Sequence, residues 1–438
     1  MSLSDDFKIF NESLIPNNIV EMEATIGEIA KKLNKTYYEI DSKDEHIYKV
    51  GSVGRKTAVR GVSDLDIIFD LPDDTYKKFN SYKSNGQSAL LQEVKDILKG
   101  KYPKTKMRGD GQVIVIDFNK YTVELVPGFK QSDYRFKYPD TNNGGKWKIT
   151  DPLAEISESI SFNRSTLNEN FHNSCRMIRE WKNYQGFKFG GLLIDSLVYN
   201  FYKENPSCKY IGYSKYLDLL KLLFYFLKEK DPDQDCWFAL GSNQKVYNKG
   251  NGIFVNRANK AYESIISFDE EDDDINELLR EIFGNKFPRS NEKEFAVSQM
   301  IRKYGTESSE EFIENYYQVN IKYRLSIDCI VSQKNFRDHR LSKMLSQKIP
   351  LFRNKKLKFF ISDLDKNLSS PYEIIWKVKN RGEESYKRNE VRGQLIHGKG
   401  REISEETAFS GSHFVECYIV QDNVCVARAK IDVPISVN

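Results

Sequence analysis

Residues 18–38 read NIVEMEATIGEIAKKLNKTYY, with apolar side chains at three- and four-residue steps, and this period predicts an amphipathic helix. HIYKV follows as a short strand or extended approach. Between residues 62 and 71 the period falls to two. Apolar and acidic side chains alternate through SDLDIIFDL and stop at Pro72, the pattern of a strand entering a turn. SALLQEVKDILKGKY returns to a helical period, and GQVIVIDF and YTVELVPGF read as two more strands. The chain is therefore expected to begin as a small mixed sheet flanked by helices.

From about residue 151 to 287 the helical period dominates, most strongly in LNENFHNSCRMIREWKNY, GGLLIDSLVYNFYK and YLDLLKLLFYFLKEK. A helical second lobe is implied. The acidic run at 269–274 begins or interrupts a helix and reads as a solvated face. Residues 289–345 mix both periods and are expected to connect lobes. From about residue 349 short runs (LKFFI, YEIIWKVKN, VRGQLIH, HFVECYIV, VCVARAKIDV) are separated by polar turns such as NRGEES and HGKGRE, which predicts a separate β domain. The expected class is α+β, divided at 1–150, 151–290, a linker at 291–344, and a β-sandwich-like 345–438.

Composition narrows this picture without redirecting it. Of the 438 residues, 39% are hydrophobic and 30% charged, which suits folded domains and argues against wholesale disorder. No apolar run is long enough to cross a bilayer, and MSLSDDFKIF lacks the order of a secretory signal, so a cytoplasmic protein without a membrane partner is expected. The six cysteines show no CxxC and no zinc-like spacing, so they are expected as reduced thiols. A net charge of +4 is too mild to announce a nucleic-acid binder.

The chemistry concentrates in GSVGRKTAVRGVSDLDIIFDLP. On a strand, residues i and i+2 face the same way, so Asp64 and Asp66 present two carboxylates side by side. Such a pair repels itself unless a cation lies between, and hard ions such as Mg²⁺ prefer these oxygens together with substrate phosphates. That arrangement serves phosphoryl or nucleotidyl transfer, in which two metal ions clamp an in-line displacement. A third carboxylate from a neighbouring strand completes such a site. Glu124 in YTVELVP is the candidate and Asp117 in VIVID its rival. Upstream, Gly51 lets backbone N–H groups approach a phosphate, and Ser52 adds a hydroxyl donor. The segment is not a Walker A loop, because Arg55 precedes Lys56 and the glycine spacing fails. Alone, an Asp-X-Asp pair is an ordinary feature of turns and strand edges, and SDLD indeed recurs at 362–365 with no Gly-Ser before it. The joint order of Gly-Ser, SDLD on an apolar strand and a later carboxylate before VPG distinguishes the first copy.

That stretch resembles the signature of the polymerase β-like nucleotidyltransferases, specifically the bacterial cGAS/DncV-like enzymes related to oligoadenylate synthetases. The likeness continues through YTVELVPGF, WKITDP, MIREWKNYQGFKFGGLLIDSL, KDPDQD and IFGNKFP, covering roughly residues 15–290. The resemblance implies a catalytic lobe and a helical lobe that bind nucleoside triphosphates (ATP, GTP or pyrimidine NTPs) between them. It also implies Mg²⁺, with Mn²⁺ as the alternative, and cyclic 3′–5′ or 2′–5′ products read by a downstream effector in antiphage defence. Carried over by motif, Gly51 and Ser52 hold the triphosphate, Asp64, Asp66 and Glu124 bind metal, and Lys182 contacts the triphosphate. Gly191 stands where a small polar residue is usual, and Asp195 where an acidic one is. Arg176 and Arg179 remain either salt-bridged surface or cleft lining.

LFRNKKLKFFI, IIWKVKNRGEES, VRGQLIHG, FSGSHFVECYIV and VCVARAKIDVPI resemble the sensor domain fused C-terminally to such enzymes, which implies an activating ligand. Trp376, Asn380, Arg381, Arg392 and His413 are candidates to line its pocket, although Trp376, between Ile375 and Val378, suits a sandwich core better. Two alternatives to a cyclic-nucleotide synthase stay open: a linear transferase acting on RNA or protein, and a sensing module with reduced catalysis.

Overall fold

A computed structural model describes residues 2–118, 121–290, 310–334 and 337–436, together with Gln299 and Lys303. They form two compact units, one of residues 7–180 and 189–263, the other of residues 1–6, 181–188 and 264–438.

The first unit holds a seven-stranded mixed sheet. Its strands are β1 (Ile47–Lys49), β2 (Asp64–Asp70), β3 (Lys106–Asp110), β4 (Val113–Asp117), β5 (Thr122–Lys130), β6 (Phe136–Asp140) and β7 (Lys146–Thr150). The order is β1-β2-β5-β4-β3, with β6 pairing β5 and β7 continuing from β6. Only β2 and β5 run parallel within it. Alternation in β2 sends Leu65, Ile67 and Phe69 into a core with Val123 and Leu125 of β5. The helical lobe shares this unit, and its most apolar helix, Tyr216–Lys228, buries Leu219, Leu220, Leu223 and Leu227.

Two amphipathic helices cover that apolar face. α1 (Leu3–Leu14) is followed by α2 (Ile19–Tyr37), which contributes Met22, Ile26, Ile29 and Leu33 at helical spacing. After the single turn α3 (Gly51–Gly54) and α4 (Asp73–Asn80), α5 (Gly86–Lys101) contributes Leu90, Leu91, Val94 and Leu98. At about 25 cal/mol per Å² of apolar surface, each of these fully buried aliphatic side chains stabilises the layer by roughly 1.5–3 kcal/mol. The opposite face carries Asp64, Asp66 and Glu124, and further along, an apolar patch of Val50, Ile68 and Phe136 closed by Leu153 and Ile156. That patch seals one end of the polar face. α6 (Pro152–Arg164) starts with Asp151 accepting from the Ala154 N–H and with proline at its first position, where no donor is missed.

The second unit contains a sandwich of two sheets. One has five strands, Gln318–Val319, Val424–Ile435, Gly411–Gln421, Glu373–Lys379 and Arg392–Ile396 in spatial order; the other has four, His339–Arg340, Leu325–Ser332, Lys356–Leu364 and Glu402–Glu406. Trp376, Val378, Val415, Cys417 and Ile419 meet Cys329, Leu357, Phe359 and Ile403 between them. Trp376 is fully buried and donates from Nε1 to the Gly400 carbonyl at 3.0 Å, as a core residue. Residues expected within a linker ending at 344 supply strands to both sheets from Gln318 onward. Most of the remaining linker, 291–309, lies outside the described residues. The acidic run forms turns and the start of a helix, with residues 271–274 exposed. All six cysteines are free thiols, and among the described residues no helix is long and apolar enough to cross a membrane.

Candidate active site

The first unit brings Gly51, Ser52, Asp64, Asp66 and Glu124 to one face of its sheet. β2 and β5 are parallel and in register, with Asp64 beside Thr122 and Asp66 beside Glu124. Neighbouring strands lie about 4.8 Å apart, so three carboxylates share one small area. Asp64 Oδ1 accepts from Thr122 Oγ1 at 2.9 Å and from Ser63 Oγ at 3.3 Å, which fixes its rotamer. Asp117 stands opposite Thr122 on β4 and is engaged by Arg108 at 2.7 Å. Of the two candidates for third carboxylate, only Glu124 adjoins Asp66.

Gly51 ends the approach from β1 with φ +60°, a conformation in which L side chains are strained. A Cβ there would collide with the Asp66 carboxylate. The glycine is thus required twice, by its own backbone and by the Asp66 side chain packed directly over it. Val50 N–H donates to the Asp66 carbonyl at 2.9 Å, tying this turn to β2. Among the described residues, no group of three or more His, Cys, Asp or Glu side chains is gathered round one point to hold a metal ion. The donor set nevertheless fits a hard divalent cation, since the adjacent carboxylates of Asp64, Asp66 and Glu124 supply oxygen ligands.

The loop after Gly51 is held by a buried ion network that periodicity alone does not disclose. Asp195, on the helix Gly191–Glu204, is fully buried. Its carboxylate accepts from Arg55 Nε at 2.9 Å, Thr57 Oγ1 at 2.8 Å and Arg179 Nη2 at 2.7 Å. Burial pushes the Asp195 pKa up, but Arg179 and Arg55 outweigh it and hold the carboxyl below its ordinary value. Arg55 also pairs with Glu155 at 3.1 Å, Arg179 donates to the Thr57 carbonyl at 2.8 Å, and Arg176 to the Lys56 carbonyl at 2.9 Å. Arg176 and Arg179 are therefore buried rather than exposed, and they clamp the loop. Close packing explains Gly191 as well, because a Cβ there would sit 3.0 Å from an Arg179 nitrogen. His172 Nε2 lies 3.2 Å from Ser159 Oγ, which donates to the Arg55 carbonyl at 2.7 Å.

Lys182 belongs to the other unit. It is buried, and its Nζ donates to the Ile321 carbonyl at 3.1 Å, ahead of the sandwich strand Leu325–Ser332. In the same unit, Arg428 pairs with Glu416 and with Glu314, each at 2.8 Å. Burial raises the Glu416 carboxyl, yet Arg428 and Lys377 hold it down at about 2. Of the residues proposed to line a sensor pocket, Asn380, Arg392 and His413 border one cavity and Arg381 borders another.

A mixed sheet with carboxylates at i and i+2 on one strand, a third on its parallel neighbour and a Gly-Ser turn before them defines the nucleotidyltransferase arrangement of the polymerase β-like class. Two family descriptions match the chain: "Second Messenger Oligonucleotide or Dinucleotide Synthetase domain" over residues 1–163, and "Adenylyl/Guanylyl and SMODS C-terminal sensor domain" over residues 307–436. The chain belongs to the bacterial cGAS/DncV-like nucleotidyltransferases, with a C-terminal sensor domain.

Among solved structures, E. coli CdnC with ATP is 13% identical, with 66% of this chain and 99% of that chain covered at a TM-score of 0.49. Bradyrhizobium diazoefficiens CdnG with GTP is 10% identical, covering 65% and 96%, at 0.46. Vibrio cholerae DncV cyclic AMP-GMP synthase with a linear intermediate is 14% identical, covering 66% and 88%, at 0.43. Likenesses of this order establish nothing about substrate or product. No curated protein matches.

Proposed function

We propose that the enzyme condenses nucleoside triphosphates into a cyclic di- or trinucleotide and releases pyrophosphate, as a second messenger in antiphage defence within the cytoplasm. The observation that carries this reading is the register of Asp64 and Asp66 with Thr122 and Glu124 on one sheet face, beside a glycine against which the Asp66 carboxylate packs. Asp64, Asp66 and Glu124 would hold Mg²⁺, or Mn²⁺ in its place. When bound, the metal neutralises phosphate charge and lowers the pKa of an attacking hydroxyl. The chain's own residues do the rest. The Gly51 turn admits phosphate to backbone N–H donors with Ser52 beside it, and Thr122 keeps Asp64 oriented. A ribose hydroxyl attacks the α-phosphorus, its proton passes to the carboxylate group, and the bond to pyrophosphate breaks. Sealing of the polar face by Val50, Ile68 and Phe136 excludes water from one side and strengthens these electrostatic contacts.

Incubation with Mg²⁺ and mixed nucleoside triphosphates should give a phosphatase-resistant product, identified by its mass. Asp66→Asn should lower its formation at least about 10²-fold, the scale of losing one preorganised charge. A label that ends on RNA or protein would instead identify a linear transferase. Near-normal turnover in the variant would remove the metal site from this face.

A further inference from the structure

The sandwich contains a cavity of about 500 Å³, within the range of small-molecule sites. Its interior is apolar and aromatic, built from Leu357, Phe359, Val378, Phe409, Val415 and Val433. Its polar groups are Asn380, Glu390, Arg392, Ser404, Glu405, Glu406 and His413. The lining residues thus include three glutamates, of which Glu390 and Glu406 are exposed, and a single arginine, whose guanidinium is already spent. Arg392 Nη1 and Nη2 meet the two Glu405 oxygens at 2.6 and 3.0 Å, a two-pronged pair between the strands Arg392–Ile396 and Glu402–Glu406 of opposite sheets.

The backbone is irregular at this pair. Arg392 has φ +52°, an outlier for a bulky side chain, and the strand carries a register shift opposite Lys377 and Lys379. Strain of this kind collects at ligand clamps. His413 adds no positive charge. The Arg381 N–H donates to its Nδ1 at 3.1 Å and its Nε2 faces the Phe409 carbonyl at 3.2 Å, so both nitrogens are occupied in the neutral ring, and burial depresses its basicity. A phosphate entering here would find no uncommitted cation among the lining residues and would lose its hydration. A flat ring with N–H donors would pack against Phe359 and the Phe409 ring, over which Arg388 lies at 5.6 Å, and offer hydrogens to carboxylates.

We infer that this cavity is the ligand site of the sensor domain and takes a phosphate-free, planar nitrogen heteroaromatic with N–H donors, of the nucleobase or nucleoside class. The inference rests on the sensor reading of residues 307–436, and it excludes the nucleoside triphosphates that the catalytic site consumes. The full-length enzyme should bind guanosine or adenosine in calorimetry at least tenfold more tightly at this site than the matching 5′-monophosphate. Hydrogen exchange with saturating nucleoside should slow in residues 390–415. Ala408 lines the mouth and is exposed, so Ala408→Trp should weaken nucleoside binding at least tenfold, whereas Asp66→Asn should leave it unchanged. Absence of binding by both nucleosides, tighter binding of the monophosphate, or protection confined to residues outside 390–415 would each overturn the inference. Binding and exchange are read without catalysis. In the unaltered enzyme, no nucleoside binding with product still formed refutes the cavity, and nucleoside binding with no product refutes the proposed reaction.

Discussion

The tetrapeptide Ser-Asp-Leu-Asp occurs twice, and both copies lie on or at the end of strands, yet their surroundings differ in every respect that matters for chemistry. The first is inside a sheet. β2 has β1 on one side and β5 on the other, and the register puts Glu124 beside Asp66. The second closes the strand Lys356–Leu364. There Asp363 is opposite Ser326 on one side, while pairing to the strand on the other side stops at Phe360. Asp363 meets Arg324 at 2.7 Å in solvent, and Asp365 accepts from the Asn367 N–H at 3.0 Å to turn the chain. One pair of carboxylates is concentrated by its neighbours, and the other is neutralised by them. Strand periodicity puts two acids on a face; register and a glycine decide whether they become a site.

The comparison breaks most severely at Asp195, which touches neither copy. It holds Arg55, Thr57 and Arg179, and so the loop between Gly51 and Ser63. Asp195→Asn leaves two buried guanidinium groups short of a charge partner, a loss of about 3–5 kcal/mol. Urea unfolding should show that loss, and hydrogen exchange at residues 51–58 should accelerate. Unchanged protection in those residues would mean that the loop is held by its backbone bonds alone.

A smaller effect is expected from His172. Burial first, and Arg176 second, lower its pKa to about 4, against a smaller opposing pull from Asp195 and with Lys56 adding to the depression. The unfolded chain therefore binds more protons between about pH 6.5 and 4. The stability this group contributes is complete above its unfolded pKa and is lost as pH falls toward its folded one. From pH 7 to pH 5 the loss is about 2 kcal/mol. His172→Gln, which keeps an N–H donor for Ser159, should flatten that part of the stability profile. An equally steep profile in the variant would assign the pH dependence to other groups.

The parts of the molecule that were legible in the sequence are those whose partners lie within one period or one motif. The helix Ile19–Tyr37, the helix Gly86–Lys101 and the strands through Asp64 and Glu124 follow from apolar spacing, and the carboxylate face follows from the i and i+2 rule. The loop clamp was not legible, because Arg55 and Asp195 are 140 residues apart and Arg179 and Thr57 are 122 apart, so no local pattern links them. The early start of the sandwich was hidden for a related reason. Gln318–Val319 is two residues long and pairs with Val424 and Cys425, while Leu325–Ser332 is irregular between Ser326 and Ile327, which disrupts the alternation expected of a strand. Trp376 was readable because an aromatic among β-branched residues suits a core. Lys182 has a backbone carbonyl of residue 321 as its partner, which no side-chain pattern could announce.

The smallest effect falls on the second copy itself. Asp363 and Arg324 are 45% and 66% exposed at the side chain, so their pair is screened by water and salt. Exposed pairs of this kind are worth about 0–1 kcal/mol. Asp363→Asn should therefore shift the thermal midpoint barely beyond error and leave product formation from nucleoside triphosphates at the level of the unaltered enzyme. The informative measurement is the ratio of turnover in Asp363→Asn to that in Asp66→Asn, which should be about 10² or more. A ratio near one, with both variants folded, would mean that neither carboxylate is held to its task by its neighbours. The two copies would then be equivalent, as their letters alone suggest.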